Sequence, residues 1–275
     1  MKIRNLLTAM ILAAALALSA GIAEAGDWSK LRVGVEGAYP PFSWMEPDGT
    51  LKGFDIDIAM AVCAEMNAEC ELVPQDWDGI IPALLANKYD AIIASMSITE
   101  ERKKKVSFSD KYYSTPAKFV RKKGSGIEIN EAGLKGKSVG VQRATIHENF
   151  LKDNYGDIID IKGYGTQDEA YLDFTAGRVD LLLADSVALD DGFLKTDAGK
   201  DAEFVGPNFT DPKWFGDGAG IAIRKGDTDL QKLLNDAIAA IRANGTYKKI
   251  NDKYFEFDVY GGEYGQDLRK SVLGP

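Results

Sequence analysis

The sequence predicts an α/β chain of two related lobes, each a mostly parallel sheet flanked by helices, with a ligand held in the cleft between them. Three observations predict it. Two short segments occur twice in the same order: Val33–Tyr39 resembles Val139–Thr145, and Ala86–Ser95 resembles Ala176–Asp185. The offsets, 106 and 90 residues, differ, which excludes a solenoid of fixed period. Within each half, short continuous apolar runs alternate with helical patterns, as in parallel strands covered on both faces. Polar residues stand at the carboxyl ends of those strands in both halves, where open α/β sheets bind ligands.

The elements follow in order. Lys2 and Arg4 precede an uncharged stretch from Asn5 to Ala23, and Ala23-Glu24-Ala25 is a small-x-small cleavage pattern. Residues 1–25 therefore read as a secretory signal peptide. A single membrane anchor is the competing reading, since about 20 apolar residues span a bilayer. The Ala content and the cleavage pattern favour removal, which leaves 250 of the 275 residues. Leu31, Val33 and Val35 alternate in a first strand. Asp57 is expected to cap a helix carrying Ile58, Ala61, Val62 and Met66 on one face.

Export makes Cys63 and Cys70, the only cysteines, a disulfide pair rather than two buried thiols. Seven residues along one regular helix they would lie about 10 Å apart, too far to bridge. The helix is thus expected to end between them. A second helix near Gly79 to Ala86, with Pro82 in its first turn, feeds the run Ala91–Ala94. In the second half a helix from Glu169 to Ala176 feeds Leu181–Leu183. A last helix from Asp229 to Ala243 carries Leu230, Leu233, Leu234, Ala237, Ile238 and Ile241 as one stripe, with Gly245 as its stop. The first lobe is expected over 26–114 and 217–275, the second over 115–216.

Composition removes whole classes of function. With 45% hydrophobic and 27% charged residues, the chain is neither disordered nor a polytopic membrane protein. One histidine and two cysteines leave no zinc or haem pattern, and no P-loop or dinucleotide fingerprint is present. No metal or cofactor is expected. Gly136–Gly140 matches G-x-S-x-G, yet Ser138 opens a strand and the sole histidine, His147, lies just nine residues on. That context is wrong for a hydrolase. A net charge of −9 argues against a nucleic-acid partner. What remains are the strand ends: Glu36 and Tyr39, Ser95 and Ser97 around Met96, Gln142 and Thr145, and Asp185.

Gly53-Phe54-Asp55-Ile56-Asp57, Asp90–Thr99 and Asp258–Gly262 resemble the bacterial periplasmic amino-acid-binding proteins, the soluble receptors of ABC importers (solute-binding protein family 3). The cysteine pair and Tyr39-Pro40-Pro41-Phe42 are most similar to the lysine/arginine/ornithine- and histidine-binding branch. The resemblance implies the two-lobed periplasmic-binding-protein fold, a hinge that closes on one free amino acid, and no enzymatic role. It places Arg102 and Ser97 on the ligand's α-carboxylate, and Asp185 with Ser95 on its α-ammonium. Glu36 would face a distal cation, with Tyr39 and Trp77 flanking the stem. Gln142, Thr145, Ile146 and His147 would complete the second lobe's wall, with Ile146 replacing a hydroxyl that relatives carry. Arg143 reads as a solvated loop residue or as a partner for a second carboxylate, as in an opine. The implied ligand is a basic amino acid, arginine before lysine or ornithine and histidine last. An opine or other polar amino acid is the alternative, and a dehydratase of aromatic-amino-acid precursors a remoter one. The implied setting is a periplasmic monomer serving an inner-membrane ABC permease.

Overall fold

A computed structural model of the chain describes residues 26–261; the expected signal peptide over 1–25 and the chain from Gly262 onward lie outside the described residues. The strands are β1 (Lys30–Val35), β2 (Ala38–Tyr39), β3 (Ser43–Met45), β4 (Leu51–Lys52), β5 (Glu69–Pro74), β6 (Ala91–Ile92), β7 (Ser107–Tyr113), β8 (Ala117–Lys122), β9 (Ser138–Gln142), β10 (Asp160–Tyr164), β11 (Leu181–Asp185), β12 (Ala202–Phe209) and β13 (Ala219–Ile223). The helices are α1 (Phe54–Glu65), α2 (Ile80–Leu85), α3 (Glu100–Lys103), α4 (Glu131–Leu134), α5 (Ile146–Tyr155), α6 (Gln167–Thr175), α7 (Ser186–Leu189), α8 (Pro212–Phe215), α9 (Thr228–Ala243) and α10 (Thr246–Tyr254).

Two five-stranded sheets form, in the orders β5-β1-β6-β13-β7 and β10-β9-β11-β8-β12. Their pairings match. In each sheet the first three strands are parallel, the fourth is antiparallel, and the fifth pairs antiparallel with the fourth. Four strands of five therefore run one way, but half of the pairings are antiparallel, so the sheets are mixed. The reversed strands, β8 and β13, are those the chain enters as it passes from one sheet to the other and back.

The duplicated segments take equivalent places. β1 and β9 stand second in their sheets, β6 and β11 third. Their continuous apolar runs are divided between two faces, as the two-residue period of a strand demands. Ala91 and Ile93 enter one apolar cluster, Ile92 and Ala94 another. Leu181 and Leu183 enter one, Leu182 and Ala184 another. The strands are apolar throughout because both faces are covered.

Helix boundaries correct two expectations. α1 begins at Phe54, three residues before Asp57. Gly53 takes φ 130°, and a Cβ there would stand 2.2 Å from the Phe42 carbonyl oxygen, so the chain turns into the helix there. Asp57 instead accepts bonds from Lys253 Nζ at 2.7 Å and the Tyr254 hydroxyl at 2.8 Å, tying α1 to α10. α6 begins at Gln167, where Thr166 and Glu169 form a capping box; Glu169 is its third residue. α1 does end between the cysteines, and a disulfide joins Cys63 to Cys70 across 5.7 Å between Cα atoms. On α9 the expected stripe is buried apart from Leu233, which is 39% exposed at its edge.

Candidate functional site

The carboxyl ends of β1, β6, β9 and β11 meet across one cleft of 670 Å³, which continues into a 30 Å³ chamber. Tyr39, Ser95, Ser97, Ile146 and His147 line both parts. Asp185 faces the larger part, while Glu36, Trp77, Arg102, Gln142 and Thr145 face the smaller. The chamber has the room of about one water molecule. Met96 is the exception among the expected residues. Its side chain is fully buried in a core cluster with Ile92 and Phe108, and it lines neither part.

Arg102 is delivered by a four-residue helix. Thr99 caps α3 by accepting the Arg102 N–H at 3.3 Å. The side chain then turns from the basic run into the cleft, where Nη1 donates to the Ser97 carbonyl oxygen at 3.0 Å. The guanidinium lies 5.2 Å from the centre of the Trp77 ring. Desolvation pushes its pKa down to about 10, with Glu101 a weaker opposing influence. It is still a cation at neutral pH, and among the described residues its guanidinium has the Ser97 carbonyl as its one hydrogen-bond acceptor.

Asp185 comes from the opposite sheet. One oxygen accepts the Val187 and Ala188 N–H groups at 2.8 and 3.3 Å, capping α7. The other accepts the hydroxyl of Thr115 from the strand crossing. Burial raises its pKa to about 6 against these bonds. Its backbone N–H donates to the Tyr39 hydroxyl across the cleft at 3.3 Å.

Glu36 and Gln142 occupy matching positions of the two repeats, and Gln142 Nε2 donates both to Glu36 and to the Gly165 carbonyl. Desolvation, countered first by that bond, raises the Glu36 carboxyl to about 7. Two further bonds join the lobes at the mouth. The Trp77 indole N–H donates to the Ala144 carbonyl at 3.1 Å, and Arg143 Nε donates to the Asp78 carboxylate. Arg143 thus has a protein partner, which neither reading of the sequence foresaw. His147 is uncharged, since burial and then the charge of Arg102 push it down to about 3. The Thr145 hydroxyl donates to the Gln142 carbonyl at 2.7 Å and accepts the Glu148 N–H at 3.2 Å, capping α5.

The arrangement offers a half-buried cation from one lobe, a buried anion from the other and a second acid deeper in. It has the charge pattern of a receptor for a zwitterion with a cationic tail. The model of the bacterial extracellular solute-binding proteins, family 3, matches residues 31–257. The chain belongs to that family. Within it, the chain is 53% identical over 232 residues to the L-arginine-binding protein of Pseudomonas aeruginosa, covering 84% of this chain and 90% of the relative. It is 45% identical to the histidine-binding periplasmic protein of Salmonella typhimurium, covering 89% and 94%. Among solved structures, an arginine-specific periplasmic binding protein of Salmonella typhimurium superposes with a TM-score of 0.76 at 34% identity, covering 82% of this chain and 99% of that one. These family members are named as binding proteins, not as enzymes.

Two residues that hold this family member's site were not singled out from the sequence. Thr115 gave no signal beyond its place between two strands. Asp55 did: it shares the helical spacing of Ile58, Ala59 and Val62, the buried face of α1.

Proposed function

We propose that the protein is a periplasmic, monomeric receptor for a basic L-amino acid, arginine before lysine or ornithine and histidine last, and that it delivers this ligand to an inner-membrane ABC permease. The observation that carries the reading is the pair Arg102 and Asp185, opposite charges from opposite lobes with neutral partners only. A free amino acid supplies the missing carboxylate to one and the missing ammonium to the other. Either charge left alone in a closed cleft is costly, so the zwitterion favours closure. Glu36 extends the reading to the tail. Gln142 gives it the hydrogen bond that a guanidinium or ammonium would give, and a swing of that amide would open the chamber to a side-chain stem between Tyr39 and Trp77. Arg143 pairs with Asp78 at the exposed mouth of the cleft, so an opine's second carboxylate would have to compete with that pair. The names of the relatives agree with a basic ligand.

Titration calorimetry of the mature protein, stripped of ligand by unfolding and refolding, tests the reading against arginine, lysine, ornithine, histidine and glutamine. Binding of arginine is expected; no binding of any of the four basic amino acids would overturn it. Glu36→Gln is expected to weaken arginine and lysine by at least about 10-fold and to spare neutral amino acids, since only a charge is removed. An equal loss for both kinds would remove Glu36 from its role.

The raised carboxyls fix the pH dependence. In the unfolded chain both titrate near pH 4. Their folded values, about 7 for Glu36 and about 6 for Asp185, lie higher, as does that of the buried Asp55 beneath them, at about 7. Their contribution to stability is therefore complete below about pH 4 and lost as pH rises through about 6 to 7. A cationic ligand draws both toward the ionised form, so binding releases protons and strengthens as pH rises. The rise in melting temperature that saturating arginine produces is expected to be larger at about pH 8 than at about pH 5. A constant rise across that range would contradict the assignment.

A further inference from the structure

Beneath the cleft lies a carboxylate that no ligand can touch. Asp55 is fully buried, and its oxygens are taken up by hydroxyls. Oδ2 accepts from Ser95 Oγ at 2.9 Å and Oδ1 from the Tyr112 hydroxyl at 2.9 Å. The Tyr112 hydroxyl in turn accepts the Ser95 backbone N–H at 3.0 Å. Three hydrogen bonds close a ring that grips Ser95 by both of its donors. Ser95 has φ 53°, a left-handed conformation that residues bearing a Cβ adopt only when their surroundings enforce it. Tyr112 is fixed as well: its ring is fully buried, and its carbonyl accepts the Tyr247 hydroxyl at 2.7 Å.

Shape alone does not call for an acid there. An ionised carboxylate is costly to bury, whereas an amide of the same shape would fill the same place. The chemical difference is polarity. Burial raises the Asp55 carboxyl to about 7 against the bonds from Ser95 and Tyr112; above that pH it is a carboxylate that only accepts, so every hydroxyl that faces it must point its proton at it. Ser95 Oγ, whose residue lines both parts of the cleft, then turns lone pairs alone toward the ligand. A serine free to rotate serves either end of an amino acid. A serine held this way accepts from an ammonium and repels a carboxylate.

We propose that Asp55 is a positioning residue that fixes the Ser95 hydroxyl as an acceptor, and that the cleft thereby tells the α-ammonium end of its ligand from the α-carboxylate end. This rests on the reading of the protein as an amino-acid receptor and deepens it: Asp185 supplies charge, and Ser95 supplies direction. Asp55→Asn removes the constraint with little change of shape. The amide presents a donor on one side, so one of the two hydroxyls must turn round.

The test is calorimetry of the mature protein at about pH 8.5, where Asp55 is ionised, with arginine, histidine and glutamine, each beside its desamino acid, in which hydrogen replaces the α-amino group. The quantity read is the ratio of the two dissociation constants, with melting curves establishing that each variant is folded. Asp55→Asn is expected to lower the ratio by about 10-fold or more, the discrimination that a correctly oriented hydrogen bond supplies. Ser95→Ala is expected to lower it similarly, and Asp55→Asn added to Ser95→Ala is expected to change it no further. Tyr112→Phe leaves the carboxylate facing Ser95 Oγ, and it is expected to keep the ratio even if overall affinity drops.

An unchanged ratio in Asp55→Asn would overturn the proposal. So would an equal effect in the presence and absence of the Ser95 hydroxyl, or a fall in Tyr112→Phe as large as that in Asp55→Asn. Were Asp55→Asn not to fold, Ser95→Ala alone decides, because a ratio it leaves standing removes Ser95 as the reader. Loss of the basic-ligand reading looks different: wild-type protein would bind glutamine but not arginine, and the ratio would still report on Asp55 through the glutamine pair.

Discussion

Arg102→Met is expected to weaken binding of every free amino acid by about 30-fold or more while making the ligand-free protein more stable. The guanidinium is held by the Ser97 carbonyl at 3.0 Å and by the Trp77 face at 5.2 Å, both neutral. Removing one member of a buried hydrogen-bonded charge pair costs about 2–5 kcal/mol, so affinity should fall by about 30-fold to several thousand-fold. The same cation is a liability before the ligand arrives. Its pKa, depressed to about 10, records the desolvation it bears. A methionine of similar length packs on the Trp77 ring without that cost, and replacing a buried charge by an apolar side chain of similar volume is often neutral or stabilising. Melting curves with and without ligand separate the two effects. The variant should melt higher alone and show a much smaller rise with arginine. Binding within about 10-fold of wild type would mean that the carboxylate is read elsewhere, for instance by backbone N–H groups at the start of α5.

The duplicated segments made the architecture legible, because a strand buried on both faces must be apolar throughout and few sequences satisfy that twice in the same order. The repeats also aligned Glu36 with Gln142 and Ser95 with Asp185, and the fold brings all four to one cleft. Met96 packs in the core with Ile92, Ala94 and Ile98 while Ser95 and Ser97 line the cleft, an alternation that continues past the end of β6. Other features depended on partners that no local pattern announces. Asp57 looked like a cap because its spacing fitted, yet the turn was decided by Gly53 against the Phe42 carbonyl. Arg143 finds Asp78 from the other lobe, 65 residues away, so its neighbours in sequence described a solvated loop. Asp55 sits on an apolar helical face near a helix start, where an acid reads as favourable dipole chemistry rather than as the floor of a site.

Asp185→Asn is expected to weaken binding by about 30-fold or more for every ligand that carries an α-ammonium, for the reason that applies to Arg102. The asparagine matters, because this carboxylate does two jobs. One oxygen caps α7 through Val187 and Ala188, and the other accepts the Thr115 hydroxyl at the strand crossing. Asp185→Ala would lose the cap as well, a cost of about 1 kcal/mol in stability, together with the bond from Thr115 between β7 and β8. Asparagine keeps an acceptor toward the cap and removes the charge. Comparing the two by calorimetry and melting separates recognition from positioning: both should lose the ligand, but only Asp185→Ala should lose stability. The combination with Arg102→Met carries the mechanism further. If the zwitterion draws the lobes together by satisfying both charges at once, losing either end removes most of the gain from closure. The double variant should then bind hardly worse than the weaker single one. Strict additivity of the two losses would mean that each end binds independently, and closure would then have to be driven by the tail at Glu36.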